Sequence, residues 1–240
     1  MVDVDKIRWS LRAWRYRLIV EKYEIGFLIK KLKPGQVAVD IGAHKGAYTY
    51  WMSKCVGKSG KVFSFEPQPL LYEKLSRLIE NFRFKNIFLY PLAFSKSKGK
   101  SILIIPNGSP SPGASINRDM RPNDTKIEIK TTTLDDFFCS EKNITVDYLK
   151  CDVEGHELDV FENNIKFFNN CRPIISVESE ARHCGEDKML KLFSFFKEIG
   201  YNGYFFNRNS FTSIKYFSIY DYQLDTEKSV YINNFVFISS

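Results

Sequence analysis

The sequence predicts an α/β chain with a mostly parallel sheet of seven strands, an antiparallel edge strand, and helices on both faces. Three observations carry that expectation. From Gln36 to Met52 the apolar spacing switches from alternation (Val37, Val39, Ile41) to helical steps (Tyr48, Trp51, Met52, Cys55, Val56), with Gly42 and Gly46 between. The switch reads as a strand, a tight glycine turn and a helix that opens onto the turn. The rhythm then repeats, so residues 34–90 read βαβαβ, the pattern of parallel strands with right-handed crossovers. Lastly, carboxylates stand where strands end: Asp40, Glu66, Asp152 with Glu154, and Glu178. Ligands of open α/β sheets sit beyond the carboxyl ends of the strands, where the strand order reverses.

Residues 1–33 read as helical and stop at Lys33-Pro34-Gly35. Val4, Ile7, Leu11, Trp14 and Leu18 mark the face expected to pack on the domain, with Arg8, Arg12, Arg15 and Arg17 left in water. The first strand and glycine turn lead into a helix from Ala47 to near Gly57. Residues 61–65 form the second strand, closing on Glu66-Pro67-Gln68-Pro69. A helix follows with Leu71, Leu75, Leu78, Ile79 and Phe82 on one face, then a third strand over 87–90. Here the rhythm breaks. Residues 101–105 and 126–132 read as strands, and the turn-rich loop at about 106–125 is expected to be a lid over the ligand crevice. A short helical turn at 134–138 precedes a fourth parallel strand over 146–151. A helix from near Gly155 is expected to bury Leu158, Phe161, Ile165 and Phe168. A fifth strand (173–177), a helix (188–199) and a late hairpin-like pair at one sheet edge (201–206 with 230–238) complete the chain.

At 240 residues without a linker, the chain fits one domain, 1–240, with a helical extension over 1–33 and a core over 34–240. A hydrophobic fraction of 44% agrees with a globular protein. The formal charge of +7 is scattered among acids and reads as a solvated basic surface, densest over Arg8, Trp9, Arg12, Trp14, Arg15, Tyr16 and Arg17. Nucleic acid is therefore a disfavoured partner, whereas peripheral contact with an anionic membrane stays open. The five cysteines are odd in number and form no CxxC pair, which excludes a disulfide framework or a zinc site. With no signal peptide or membrane-spanning run in view, the cytoplasm is the expected compartment.

Glu66 closes the second strand some twenty residues after the glycine turn, where a carboxylate can accept both hydroxyls of a ribose. The turn Gly42-Ala43-His44-Lys45-Gly46 lacks the GxGxxG spacing, so it suits adenosine with a small zwitterionic tail better than a dinucleotide. Asp152-Val153-Glu154-Gly155-His156-Glu157 gathers three carboxylates and an imidazole at a strand-to-helix junction. Such a cluster is costly unless hydrated, paired or ligand-bound. A capping role for Glu157 or Asp152 is its structural explanation. His44, His156 and His183 also fall just past strand ends.

Leu32-Lys33-Pro34-Gly35 leading to Val39-Asp40-Ile41-Gly42-Ala43-His44-Lys45-Gly46, the Phe65-Glu66-Pro67 element, and Asp152-Val153-Glu154-Gly155-His156-Glu157 are the residues that carry a family resemblance. Over about 32–180 the chain resembles the FkbM-type family of class I S-adenosylmethionine-dependent methyltransferases. The resemblance implies a Rossmann-like class I methyltransferase fold with S-adenosylmethionine as cofactor. Its methionine tail would lie over Gly42, Ala43, His44 and Gly46, with Thr49 in the following helix and Asp40 and Asp152 near the ammonium. The ribose would sit on Glu66, and the adenine near Pro67 and the turn at Leu92-Ala93. It further implies O-methylation of a sugar, glycan or secondary-metabolite hydroxyl, with the base among Asp152, Glu154 and His183, and His156 and Glu178 behind them. No metal ligand is assigned. His44 stands where the family commonly has Asn, and Lys45 where it has an apolar residue. Substrate choice is expected in the regions outside the match. Two alternatives remain: a nucleic-acid methyltransferase, against which Asp-Val-Glu-Gly stands in place of Asp/Asn-Pro-Pro-aromatic, and a non-catalytic donor-binding protein.

Overall fold

A computed structural model describes residues 4–225, 227 and 230–240. Helix α1 (Val4–Arg15) runs through a π-helical turn (Tyr16–Val20) into α2 (Lys22–Lys31). Then come β1 (Val37–Ile41), α3 (Ala47–Val56), β2 (Lys61–Phe65), α4 (Pro69–Phe82) and β3 (Ile87–Tyr90). The inserted strands are β4 (Ala93–Phe94), β5 (Gly99–Ile105) and β6 (Thr125–Thr132), and a second π-helical turn (Asp135–Glu141) leads to β7 (Tyr148–Cys151). Helices α5 (Glu157–Phe161) and α6 (Ile165–Cys171), strand β8 (Ile174–Glu178), and helices α7 (Ala181–Cys184) and α8 (Glu186–Glu198) follow. Strands β9 (Tyr201–Asn207), β10 (Ser210–Ser213) and β11 (Asn234–Ser239) end the chain.

The expected doubly wound architecture is present, with the strand order β10-β9-β11-β8-β7-β1-β2-β3. From β8 to β3 all neighbours are parallel, and the order reverses between β1 and β7. The main sheet has eight strands rather than seven. The extra one is β10, folded back on β9 by the two-residue tip Arg208-Asn209, with Arg208 at φ 53°. Such a φ matches the turns that join twisted hairpin strands. Nor is β11 an edge strand, since it pairs antiparallel with both β8 and β9. Strands β4, β6 and β5 form a separate sheet after β3, which the sequence reading did not anticipate.

Strand alternation sorts the side chains onto two faces. Val39, Ile41, Leu149 and Cys151 pack with Phe161, Phe168 and Phe196 on one face. Ala38, Val62 and Tyr148 pack with Leu28, Met52 and Leu75 on the other. The even-numbered residues further along β1, β2, β7 and β8 are polar: Asp40, Ser64, Lys150 and Ser176, followed by Glu66, Asp152 and Glu178. One face of the sheet is therefore apolar near its amino end and polar toward its carboxyl end.

Two helical expectations need correction. The single helix predicted from Gly155 is two, broken at 162–164, where Asn163 takes φ 68° and the Asn164 amide donates to the carbonyls of Val160 and Glu162. Ile165, expected inside, is exposed. In α1 the buried stripe is also not the predicted one. Trp9 and Ala13 are buried, whereas Ile7, Leu11, Trp14 and Leu18 are exposed; the side chain of Val4 lies outside the described residues. Trp9 prevails because its indole sits edge-on among Tyr50, Phe82 and Phe84 and donates Nε1–H to the Gly46 carbonyl at 3.1 Å. Trp51 likewise donates to the Ala13 carbonyl at 2.8 Å. These contacts fasten the N-terminal segment over α3.

A buried Trp with a satisfied N–H is expensive to remove. Trp9→Ala is expected to cost about 3–5 kcal/mol in denaturant unfolding, whereas half-exposed Trp14→Ala should cost less than about 2 kcal/mol. Equal losses would mean that the helix packs on the Trp14 face.

Candidate active site

At the reversal point, β1 runs into Gly42 at φ 80°, and a Cβ there would lie 1.8 Å from the Asp152 carbonyl oxygen. Only glycine permits that approach. The N–H groups of Gly42 and Ala43 both donate to the Phe65 carbonyl, at 3.0 and 2.9 Å, holding the bend against β2. The next N–H, of His44, donates to Glu66 Oε2 at 2.8 Å, and that of Gln68 donates to Glu66 Oε1 at 2.9 Å. One buried carboxylate thus ties the turn after β1 to the turn after β2.

Both turns open onto a cavity of about 690 Å³. Of the residues singled out in the sequence, Asp40, Gly42, Ala43, His44, Glu66, Pro67 and Leu92 line it, as do Asp152, Glu154, His156 and Glu178. Gly46, Thr49 and His183 are not among its lining residues. Gly46 holds the Trp9 indole; Thr49 donates to Asp40 Oδ2 at 2.5 Å and lies 3.0 Å from Ser64 Oγ. His183 stands behind Glu154, its Nδ1 2.8 Å from Glu154 Oε2. Thr49 and His183 thus position carboxylates that face the cavity. Glu157 accepts the Gly155 N–H at 2.9 Å and so holds the turn that leads into its helix.

Lys150 was not singled out in the sequence. It is 1% exposed on the cavity floor, its Nζ 3.7 Å from Asp152 Oδ2 and 3.9 Å from Glu178 Oε2, over the Tyr48 ring. The Tyr48 hydroxyl in turn donates to Glu21. A lysine inside the apolar run Tyr148-Leu149-Lys150-Cys151 was the available signal, because a lysine in a strand buried on both faces needs an anionic partner.

Burial raises the Asp40 carboxyl to about 6 and that of Glu66 to about 7. Burial, joined by repulsion from Asp152, also pushes Glu178 upward. The Lys150 ammonium is held charged: burial opposes it, and Asp152, Glu178 and Glu21 override burial. His44 is pushed down to about 4 by burial, so it is neutral at pH 7, and its buried Nε2 has no hydrogen-bond partner. Glu154 is raised by burial and partly relieved by its hydrogen bond to His183; the His183 imidazole is raised by the same bond.

The insertion between β5 and β6 lies across the rim. The Gln68 side-chain amide exchanges two hydrogen bonds with the Ser111 backbone, at 3.0 and 3.1 Å. Ser115 Oγ donates to the Glu154 carbonyl at 2.7 Å, and the Asn117 amide donates to the Gly155 carbonyl at 3.1 Å. Pro112, Ala114 and Ile116 face the cavity. The opposite wall comes from both ends of the chain, through Arg12, Tyr16, Tyr231 and Asn233. Chemically, the hollow offers a carboxylate-rich floor with one cation, a hydroxyl-accepting carboxylate at Glu66, and an aromatic and amide wall.

Residues 40–202 match the methyltransferase FkbM domain family. A hexuronic acid methyltransferase, AglP, of Haloferax volcanii is 28% identical over 176 residues, covering 72% of this chain and 67% of that protein. Among solved structures, an FkbM methyltransferase of Methylobacillus flagellatus superposes with a TM-score of 0.55 at 12% identity over 99% of this chain. The chain spans only 56% of that protein's length. A Streptococcus mutans protein solved in complex with SAH gives a TM-score of 0.51 at 9% identity, covering 90% of this chain and 96% of its own.

Removing the buried ammonium leaves its carboxylate partners uncompensated. Lys150→Met is expected to destabilise the chain by about 3–5 kcal/mol at pH 8. Glu178 and Glu21 already hold protons more tightly folded than unfolded, and losing Lys150 strengthens that preference. A raised folded-state pKa gives stability that is present at low pH and lost as pH rises. The deficit should therefore shrink at pH 5 in urea unfolding. A deficit independent of pH would contradict this account.

Proposed function

The chain belongs to the FkbM family of S-adenosylmethionine-dependent methyltransferases, and from that premise we propose that it methylates a hydroxyl of a sugar or glycan. The observation that carries the reading is the Glu66 carboxylate, buried and turned into the same cavity as the bend at Gly42–His44. The residues present fit the donor. Each Glu66 oxygen accepts one backbone N–H, which leaves acceptor capacity for a ribose diol. Asp40 and Asp152 would hold an ammonium, the Gly42–His44 bend would lie beside the tail, and Pro67 and Leu92 would flank the adenine. The relative that acts on a hexuronic acid supports a sugar acceptor, as does the wall of Tyr16, Tyr231 and Asn233, since sugars pack on aromatic faces and bond to amides.

When bound, S-adenosylmethionine supplies an electrophilic methyl group on a sulfonium. The chain's task is to orient the acceptor oxygen in line with that group and to take its proton. Good orientation is worth about 7–11 kcal/mol in favourable cases. Glu154 is the proposed base, because it lines the cavity and burial makes it a stronger base than a solvated carboxylate. His183 donates to Glu154 Oε2 and fixes its direction. Lys150 keeps Asp152 and Glu178 anchored by charge, so that the floor can take a cation without rearranging.

Two experiments test these roles. In calorimetry with a folded control, Glu66→Ala should weaken S-adenosylmethionine binding about tenfold or more; undiminished affinity would remove the donor site from this crevice. With an acceptor found by labelled-methyl transfer to sugars and glycans, Glu154→Gln should lower kcat by about 10²–10⁴-fold. His183→Ala should move the acid limb of the pH–rate profile upward, because the bond that lowers the Glu154 pKa is gone. An unmoved limb would rule out Glu154 as the titrating base.

A further inference from the structure

We propose that the N-terminal segment is an interfacial helix that seats this protein on an anionic phospholipid bilayer, with the mouth of the cavity turned to the lipid. Among the described residues, exposed large hydrophobic side chains are mostly scattered, but six of them, Ile7, Leu11, Trp14, Leu18, Ile19 and Val20, fall within one stretch. Leu11 is 63%, Leu18 57% and Ile19 73% exposed. Ile7, Leu11 and Trp14 share one face of α1, and the π-helical turn carries the stripe on to Leu18, Ile19 and Val20. The stripe cannot turn inward. Trp9 and Ala13, on the opposite face, are fixed through the Gly46 carbonyl and Trp51.

Charge decides what the stripe meets. At 100° per residue, Arg8, Arg12 and Arg15 run along one border of the apolar row and Lys6 lies on the other. Between 5 and 20 the single carboxylate is Asp5, 3.9 Å from Arg8. Beyond the helix, the positive field of Arg12 reaches Lys45, which also feels Lys74. A second copy docked on this face would set arginine rows against each other. Nucleic acid would answer the arginines and leave the leucines in water. Apolar residues bordered by arginines match a headgroup–acyl boundary, where the stripe enters the lipid and the guanidinium groups meet phosphate. Among the described residues no helix is long and apolar enough to cross a membrane, so the segment would lie on the bilayer. The stripe is continuous with the site: Arg12, Tyr16, Ile19 and Val20 also wall the cavity. An acceptor carried on lipid would then enter without leaving the surface. The inference does not rest on the sugar-hydroxyl reading.

Co-sedimentation of the full chain with phosphatidylcholine vesicles, with and without phosphatidylglycerol, tests it. Binding is expected to the mixed vesicles, with a blue shift of the Trp14 emission, and salt should release it. Leu11→Ser/Leu18→Ser should weaken binding about tenfold or more, and so should Arg8→Gln/Arg15→Gln. Both variants should keep their thermal midpoint and S-adenosylmethionine affinity, since none of the four side chains is buried or lines the cavity. Equal binding to both vesicle types, binding to neither, or full binding by both double variants would overturn the proposal. So would a concentration-dependent dimer that the leucine variant dissolves.

Discussion

The close passage of the Gly42 backbone by the Asp152 carbonyl is the constraint on which the rest of the site depends. Two parallel strand ends that turn away from each other leave a crevice, and its depth is set by how nearly their backbones meet. Here the separation excludes even a methyl group. Asp40 and Asp152 are thereby brought to one hollow from neighbouring strands, and the bend comes low enough for the His44 N–H to reach Glu66. Strand parity does the remainder. Because side chains alternate, every second residue of β1, β2, β7 and β8 faces the same helices, and the polar members of that set meet at one rim.

A floor with so many carboxylates is stable only because the charges are shared. Lys150 stands between Asp152 and Glu178, Thr49 donates to Asp40, and Glu66 takes two backbone N–H groups. Each group would be costly to bury alone. Together they make a floor of carboxyl groups set around one fixed cation. His44 stays neutral chiefly because it is buried, and the neighbouring cation Lys45 adds to that preference.

Much of this was legible in the residues. Strand ends carry their own signature, so Asp40, Glu66, Asp152, Glu154 and Glu178 could be assigned to one rim from pattern alone. Lys150 left a weaker mark, a single charge in an apolar strand, which looks like a solvent-facing position until the covering helix is known. The N-terminal helix misled for a different reason. It carries two stripes, Ile7-Leu11-Trp14-Leu18 and Trp9-Ala13-Tyr16, and periodicity cannot say which one finds a partner. A carbonyl at Gly46, distant in sequence, decided it. His183 was placed at the right rim but one layer too far forward, since spacing does not reveal that Glu154 stands between it and the hollow. The hairpin of β9 and β10 went unread because its tip is Arg-Asn rather than a glycine-containing pair.

The cavity is assembled from distant parts of the chain. Its floor comes from the segment that matches the family, whereas Arg12 and Tyr16 come from before residue 40 and Tyr231 and Asn233 from after residue 202. Asn233 donates to Glu178 Oε1 at 2.7 Å and so joins one outer wall to the carboxylate that Lys150 also faces. The mouth of the cavity is therefore stiffened by the same groups that hold its floor. Trp9 adds to this from the other end of the chain, a peripheral residue bonded to the bend itself, through which that wall inherits the rigidity of the floor.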